Sequence, residues 1–271
     1  MAHSKAYEQL DYTDYFVFGK VNEDLELCRD TLSCLLQREV GKLSEPVIEK
    51  NLQFIIDGKP VRLDIYTQDD DCIYNAEMQN LNHHSVESLA LPQRSRFYQS
   101  SIDMDFVNRK QTYCGLPDAR IIFICTFDPF GLGDYRYTFL PNCTEHTELF
   151  LNDGTARIFF NTSYNGNDIP EDLKNLFNYI STGKVSDELT DRINKAVVKV
   201  RNNNIWRSEY MKEWDLLMRE RRDGIQEGIG QGLLRANKLT FLLLKLNRMD
   251  DVVRSVSDPA YQEQLFKEFG L

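Results

Sequence analysis

Ala119–Phe127, ARIIFICTF, is almost continuously apolar over the length of one strand. A strand with one wet face alternates apolar and polar side chains, so an unbroken run is covered on both faces. That places it at the centre of a sheet with helices above and below. Asn51–Ile56 and Val61–Thr67 are apolar-rich and separated by Asp57-Gly58, a hairpin signal. With Cys72–Gln79 they make a three-stranded antiparallel start to the sheet. Tyr135–Leu140 and Thr155–Ser163 supply further strands rich in β-preferring residues. Leu25, Cys28, Leu32, Leu35 and Leu36 recur at helical spacing within Asp11–Gly41, with Gly41 as the predicted stop. Pro92–Lys110 predicts a second helix, with Phe97, Ile102 and Val107 toward the core. Helix, hairpin strands, helix, strand and then further strands is the order of an α/β core, a mixed sheet flanked by helices.

From Pro170 onward the chain reads as helices: Glu171–Ser181, then a charged run over Asp187–Arg222 whose Trp206, Tyr210 and Trp214 share one face. RDGIQEGIGQGLL follows, with Gly224, Gly228 and Gly232 four residues apart. That spacing permits close helix approach, and the helix-weakening effect of glycine suits a flexible connector equally. LTFLLLKL, VVRSV and YQEQLFKEFGL complete a small helical appendage that could bind a protein partner. The expected division is 11–222 for the main domain with its helical C-terminal part, and 223–271 for connector and appendage.

The first hairpin, VRLDIYTQDDDCIYNAEMQ over Val61–Gln79, carries polar residues at positions that a buried hairpin would leave apolar. Side chains alternate along a strand, so Asp64 lies on the face opposite Leu63 and Ile65, and Glu77 and Gln79 share a face. With a loop over Asp69–Cys72 the register sets Asp64 across from Glu77, at a cross-strand spacing of roughly 5 Å. Two carboxylates at that distance repel unless a cation lies between them. One reading makes them ligands of a hard divalent cation such as Mg²⁺, which prefers oxygen donors. The other is a solvent-exposed hairpin whose outer face is simply polar.

Read with its surroundings, the pattern resembles the PD-(D/E)xK nuclease superfamily, in particular the bacterial recombination-promoting nuclease and transposase-like family. TDYFVFGKVNEDLELCRDTL, VRLDIY, EMQ, PQRSRFYQSSID, and IFICTFDPFG with its following YTF resemble successive blocks of that family in its order, over about Thr13–Tyr210. The resemblance implies a restriction-endonuclease-like core and a Mg²⁺-dependent DNA endonuclease. It implies Asp64 and Glu77 as metal ligands, the Met78 carbonyl as a further one, and Gln79 at the position of the catalytic lysine. Related nucleases often place a carboxylate of their first helix near the metal, for which Asp14 and Glu26 are candidates beside an ordinary capping role. The alternative function is a nuclease-derived binding or regulatory protein with weak metal affinity. The Gln79 departure and the net charge of −10 both suit it.

Phosphate binding draws most of its affinity from Lys and Arg, so an acidic chain must bind DNA through a local positive surface, weakly and with strong salt sensitivity. Arg94, Arg96 and Gln99 on the second predicted helix, with Arg109 and Lys110 near its end, are the candidates; an ordinary solvated helix face accounts for them equally. The six cysteines form no C-x-x-C pair and read as buried free thiols. His83–His84 suits an exposed loop better than a metal site. No apolar run approaches a membrane span and no secretory signal opens the chain, which predicts a cytoplasmic protein without membrane attachment. Phosphate-loop, dinucleotide-fold and serine-elbow motifs are absent. A homodimer would suit paired cuts across a duplex.

Overall fold

The structure is a computed structural model and describes residues 6–44, 47–52, 61–80, 90–110 and 113–271. The chain divides into two compact units, the first ending at Arg207 and the second beginning at Ser208.

The first unit is built on a six-stranded sheet: β1 Val47–Leu52, β2 Val61–Gln68, β3 Cys72–Gln79, β4 Asp118–Cys125, β5 Arg136–Phe139 and β6 Thr155–Asn161, in the order β1-β2-β3-β4-β6-β5. β1, β2 and β3 pair antiparallel, β3, β4 and β6 parallel, and β5 returns antiparallel to β6, so the sheet is mixed as expected. β4 lies inside, where its composition requires: no residue from Ile121 to Cys125 is more than 1% exposed. A parallel β3–β4 pair needs a crossover, and helix α3, Leu91–Lys110, lies in it. α3 covers one face of the sheet, where the Tyr98 ring lies 6.1 Å from Phe123 and Phe123 stacks on Phe159 at 5.1 Å. On the opposite face Phe160 meets Phe177 of α4, Glu171–Thr182, at 6.0 Å. Helices α2, Leu25–Leu36, and α5, Glu188–Arg201, pack with α4, and α1, Tyr15–Asn22, packs with α2 and α5.

Four local expectations are corrected. The helix within Asp11–Gly41 is two helices, because the Asp24 carboxylate accepts the Glu26 and Leu27 N–H groups and starts α2 afresh. α2 ends at Gln37, not Gly41; Gln37 takes the left-handed conformation at φ 53° while its amide donates to the Cys34 carbonyl at 2.7 Å. On α3 the core side is Leu91, Tyr98 and Ile102, whereas Phe97 is 51% exposed and Val107 half-buried. The first strand begins earlier than Asn51, at Val47, and the Asp57-Gly58 turn lies outside the described residues.

The second unit comprises helix α6, Asn204–Lys245, from Ser208 onward, with α7, Met249–Ser257, and α8, Pro259–Phe269. Leu239 and Leu243 of α6 meet Leu265 and Phe266 of α8 in a small apolar core that Tyr261 and Phe269 border. Gly224, Gly228 and Gly232 lie within continuous α6. The compact units divide at Arg207, ahead of the Arg222 boundary expected from composition, because a helix continuing through a boundary carries no turn signal there. Among the described residues, no helix is long and apolar enough to cross a membrane. Cys28, Cys34, Cys72 and Cys125 are buried free thiols and Cys143 is half-buried. Burial pushes the Cys28 and Cys125 thiols up to about 12, which keeps them protonated and unreactive.

Candidate active site

The β2–β3 ladder runs from Gln68↔Ile73 to Ile65↔Ala76. Beyond that pair, side chains replace the backbone ladder and join Asp64 to Glu77 and Met78. The Asp64 N–H donates to Glu77 Oε1 at 3.0 Å, and the Met78 N–H donates to Asp64 Oδ2 at 3.1 Å. Each carboxylate is therefore held by an amide of the facing strand. The N–H and C=O of one strand residue point to the same neighbouring strand, so the Met78 carbonyl is directed toward β2, the strand that carries Asp64.

Glu77 is 1% exposed. Its Oε1 also accepts from Asn75 Nδ2 at 2.8 Å, and the same Asn75 amide donates to the Ile65 carbonyl at 3.2 Å. Asn75 therefore ties the Glu77 carboxylate to β2. Burial first, and the Asp64 charge second, hold the Glu77 carboxyl well above the usual carboxylate range. A buried carboxyl in this position carries either a proton or a cation.

Gln79, 5% exposed, lies two residues on along the same face. Its Oε1 accepts from Arg94 Nη1 at 2.9 Å, while Arg94 Nη2 donates to the Tyr98 hydroxyl at 2.9 Å and lies 3.7 Å from Glu77 Oε2. The guanidinium sits over the Tyr98 and Phe123 rings at 5.5 and 5.7 Å. Arg94 thus belongs to the site itself. Arg96 is exposed, whereas Gln99 is buried and donates to Asp103 at 2.9 Å, so Arg94, Arg96 and Gln99 do not form one phosphate-lining surface. The side chains of Arg109 and Lys110, and His83–His84 entirely, lie outside the described residues. Asp14 accepts the Asp11 N–H at 2.7 Å in the turn before α1, and Glu26 is exposed in the first turn of α2.

Sequence reasoning did not single out Asn75 and gave Arg94 a different role. For Asn75 the signal was present: a polar residue two before Glu77 on the same strand face. For Arg94 it was not, because its partner lies on another element.

The donor set that this arrangement offers is two carboxylates and one backbone carbonyl. These are hard oxygen donors, which fit Mg²⁺ with the rest of its shell left to water. Among the described residues no group of three or more His, Cys, Asp and Glu could hold a metal. A cavity of about 990 Å³ is separate: Asn80, Thr126 and Thr162 line it just past the ends of β3, β4 and β6, with Asn178 of α4. Asn80 points away from Gln79 and donates to Thr13 at 2.9 Å. The cavity includes none of Asp64, Glu77 and Gln79. Comparison of the chain with family models, with curated protein sequences and with solved structures finds no match.

Proposed function

We propose that this chain is a Mg²⁺-dependent DNA endonuclease with a restriction-endonuclease-like core, as its resemblance to the recombination-promoting nucleases implies. The observation that carries the reading is the interlocked Asp64–Glu77 pair, with a buried carboxyl that burial and its neighbour's charge leave in need of a proton or a cation. Asp64, Glu77 and the Met78 carbonyl would hold the ion. When bound, Mg²⁺ supplies Lewis acidity toward the phosphate and the attacking water. Gln79 orients that water through its side-chain amide. In the reaction, the water oxygen bonds to phosphorus and the ester P–O bond breaks with its electron pair on the leaving oxygen. The water loses a proton and the leaving oxygen gains one.

DNA binding through so acidic a chain is weak and salt-sensitive, and a homodimer would allow paired cuts. Mg²⁺ titration of plasmid cleavage by the purified protein, with Asp64→Ala as control, tests the reading. Cleavage that depends on Mg²⁺ and disappears in the variant is expected. Equal cleavage by both proteins would refute it. The second reading, a non-catalytic DNA- or protein-binding regulator, is favoured by one observation: Arg94 already faces Glu77, as a cation that could satisfy the carboxylate without metal. Mg²⁺ binding without turnover would select it.

A further inference from the structure

Arg94 has a geometry that a solvated helix residue does not need. Its fork spans Gln79 Oε1 and the Tyr98 hydroxyl at 2.9 Å each, the Tyr98 and Phe123 ring centroids lie 5.5 and 5.7 Å from the guanidinium, and Glu77 Oε2 lies at 3.7 Å. A guanidinium only donates. By donating to Oε1 it sets the sense of the Gln79 amide and turns Nε2, a two-proton donor, away from itself. We propose that Arg94 and Gln79 act as one composite group in place of a lysine, Gln79 giving the hydrogen-bond donor and Arg94, as its positioning residue, giving the positive charge. The inference rests on the nuclease reading above.

Two consequences follow from the distances. Tyr98 and the ring faces fix the guanidinium, so the charge stays beside the carboxylates without entering the cation position. The separation from Glu77 exceeds a direct hydrogen bond, so Arg94 and Mg²⁺ both draw on the same carboxylate without Arg94 sealing it. Loss of Arg94 therefore has opposite effects on two measurable quantities. Metal binding strengthens because a repelling cation is gone; cleavage weakens because the phosphate loses that charge and Gln79 loses its orientation. A residue needed only for packing would weaken both.

The test uses the full chain as wild type, Arg94→Ala, Gln79→Lys and the double variant, with Mg²⁺ alone titrated by calorimetry and initial cleavage rates measured on plasmid. Arg94→Ala is expected to bind Mg²⁺ severalfold more tightly and to cleave about 10²-fold more slowly, the usual scale for losing one preorganised electrostatic group. Gln79→Lys in the Arg94→Ala background is expected to restore most of that rate, since one lysine carries both donor and charge. Where Arg94→Ala does not fold, Arg94→Gln keeps a donor for Gln79, removes the charge, and must show tighter Mg²⁺ binding with slower cleavage. Parallel loss of binding and rate, with no recovery by Gln79→Lys, would overturn the proposal while leaving the nuclease reading intact. A wild type that binds Mg²⁺ at Glu77 yet cleaves nothing would overturn both.

Discussion

Glu77→Gln isolates the proton that the proposed site would trade for a cation. The variant keeps Oε1 as acceptor for the Asp64 N–H and the Asn75 amide, 3.0 and 2.8 Å away, and replaces Oε2 with an uncharged NH₂. At an effective dielectric of about 20, the Arg94 pair at 3.7 Å attracts by about 4 kcal/mol before desolvation. Asp64 repels across the strand, and burial decides the balance against the ionised form. The folded carboxyl therefore keeps its proton to higher pH than the unfolded one, whose pKa is about 4.3. Between those two pKa values the folded state binds more protons, so stability falls as pH rises, by up to about 1.4 kcal/mol per pH unit. Above the folded value the loss is complete and constant. Below the unfolded pKa wild type and variant are both neutral here, and should agree within about 1 kcal/mol, the worth of one hydrogen bond. Urea unfolding without metal, across a pH series, should show the variant gaining on wild type as pH rises. If the pair holds Mg²⁺ as proposed, the ion should reverse the ranking, since it would stabilise only the protein with both carboxylates, and its affinity for wild type should climb by up to about tenfold per pH unit until Glu77 is fully ionised. Stability curves that run parallel at every pH would refute the assignment of a retained proton to Glu77.

Asp64→Ala should lose the thermal stabilisation by Mg²⁺, which for wild type at about ten times its Kd corresponds to about 1.4 kcal/mol; an equal rise in the variant, by calorimetry, would place the ion elsewhere. Gln79→Ala should slow cleavage less than Asp64→Ala, which would remove a proposed metal ligand, and Gln79→Lys should retain cleavage. Initial rates across a Mg²⁺ titration check both, and an inactive Gln79→Lys beside an active wild type would refute the lysine-equivalent position. Removing Leu233–Leu271 deletes the Leu239, Leu243, Leu265 and Phe266 core whole, so the first unit should still fold and cleave within about an order of magnitude of the full chain, an additivity that holds for separate units. Circular dichroism and plasmid cleavage measure this, and global unfolding would show that the unit is not separable.

The central strand and the site's hairpin were legible in the sequence because their signals are local. An unbroken apolar run admits only a strand covered on both sides, and Ile121–Cys125 are covered so. A period of two puts Glu77 and Gln79 on one face, and a short loop sets the pairing that brings Asp64 to Glu77. What the sequence could not settle depends on contacts between distant residues. α3 carries apolar side chains on several sides, so only docking against β4 decides that Tyr98 and Ile102 turn inward and Phe97 outward. The same docking brings Arg94 to Gln79, fifteen positions earlier in the chain. The break between α1 and α2 at Asp24 was visible as a capping residue, but helical spacing on both sides concealed it. The sequence by itself determined the strands and the carboxylate pair, since alternation and hydrophobic run length are properties of neighbours. Only the tertiary structure decided which cation faces that pair, because the helix face that supplies Arg94 is chosen by packing energy summed over another element.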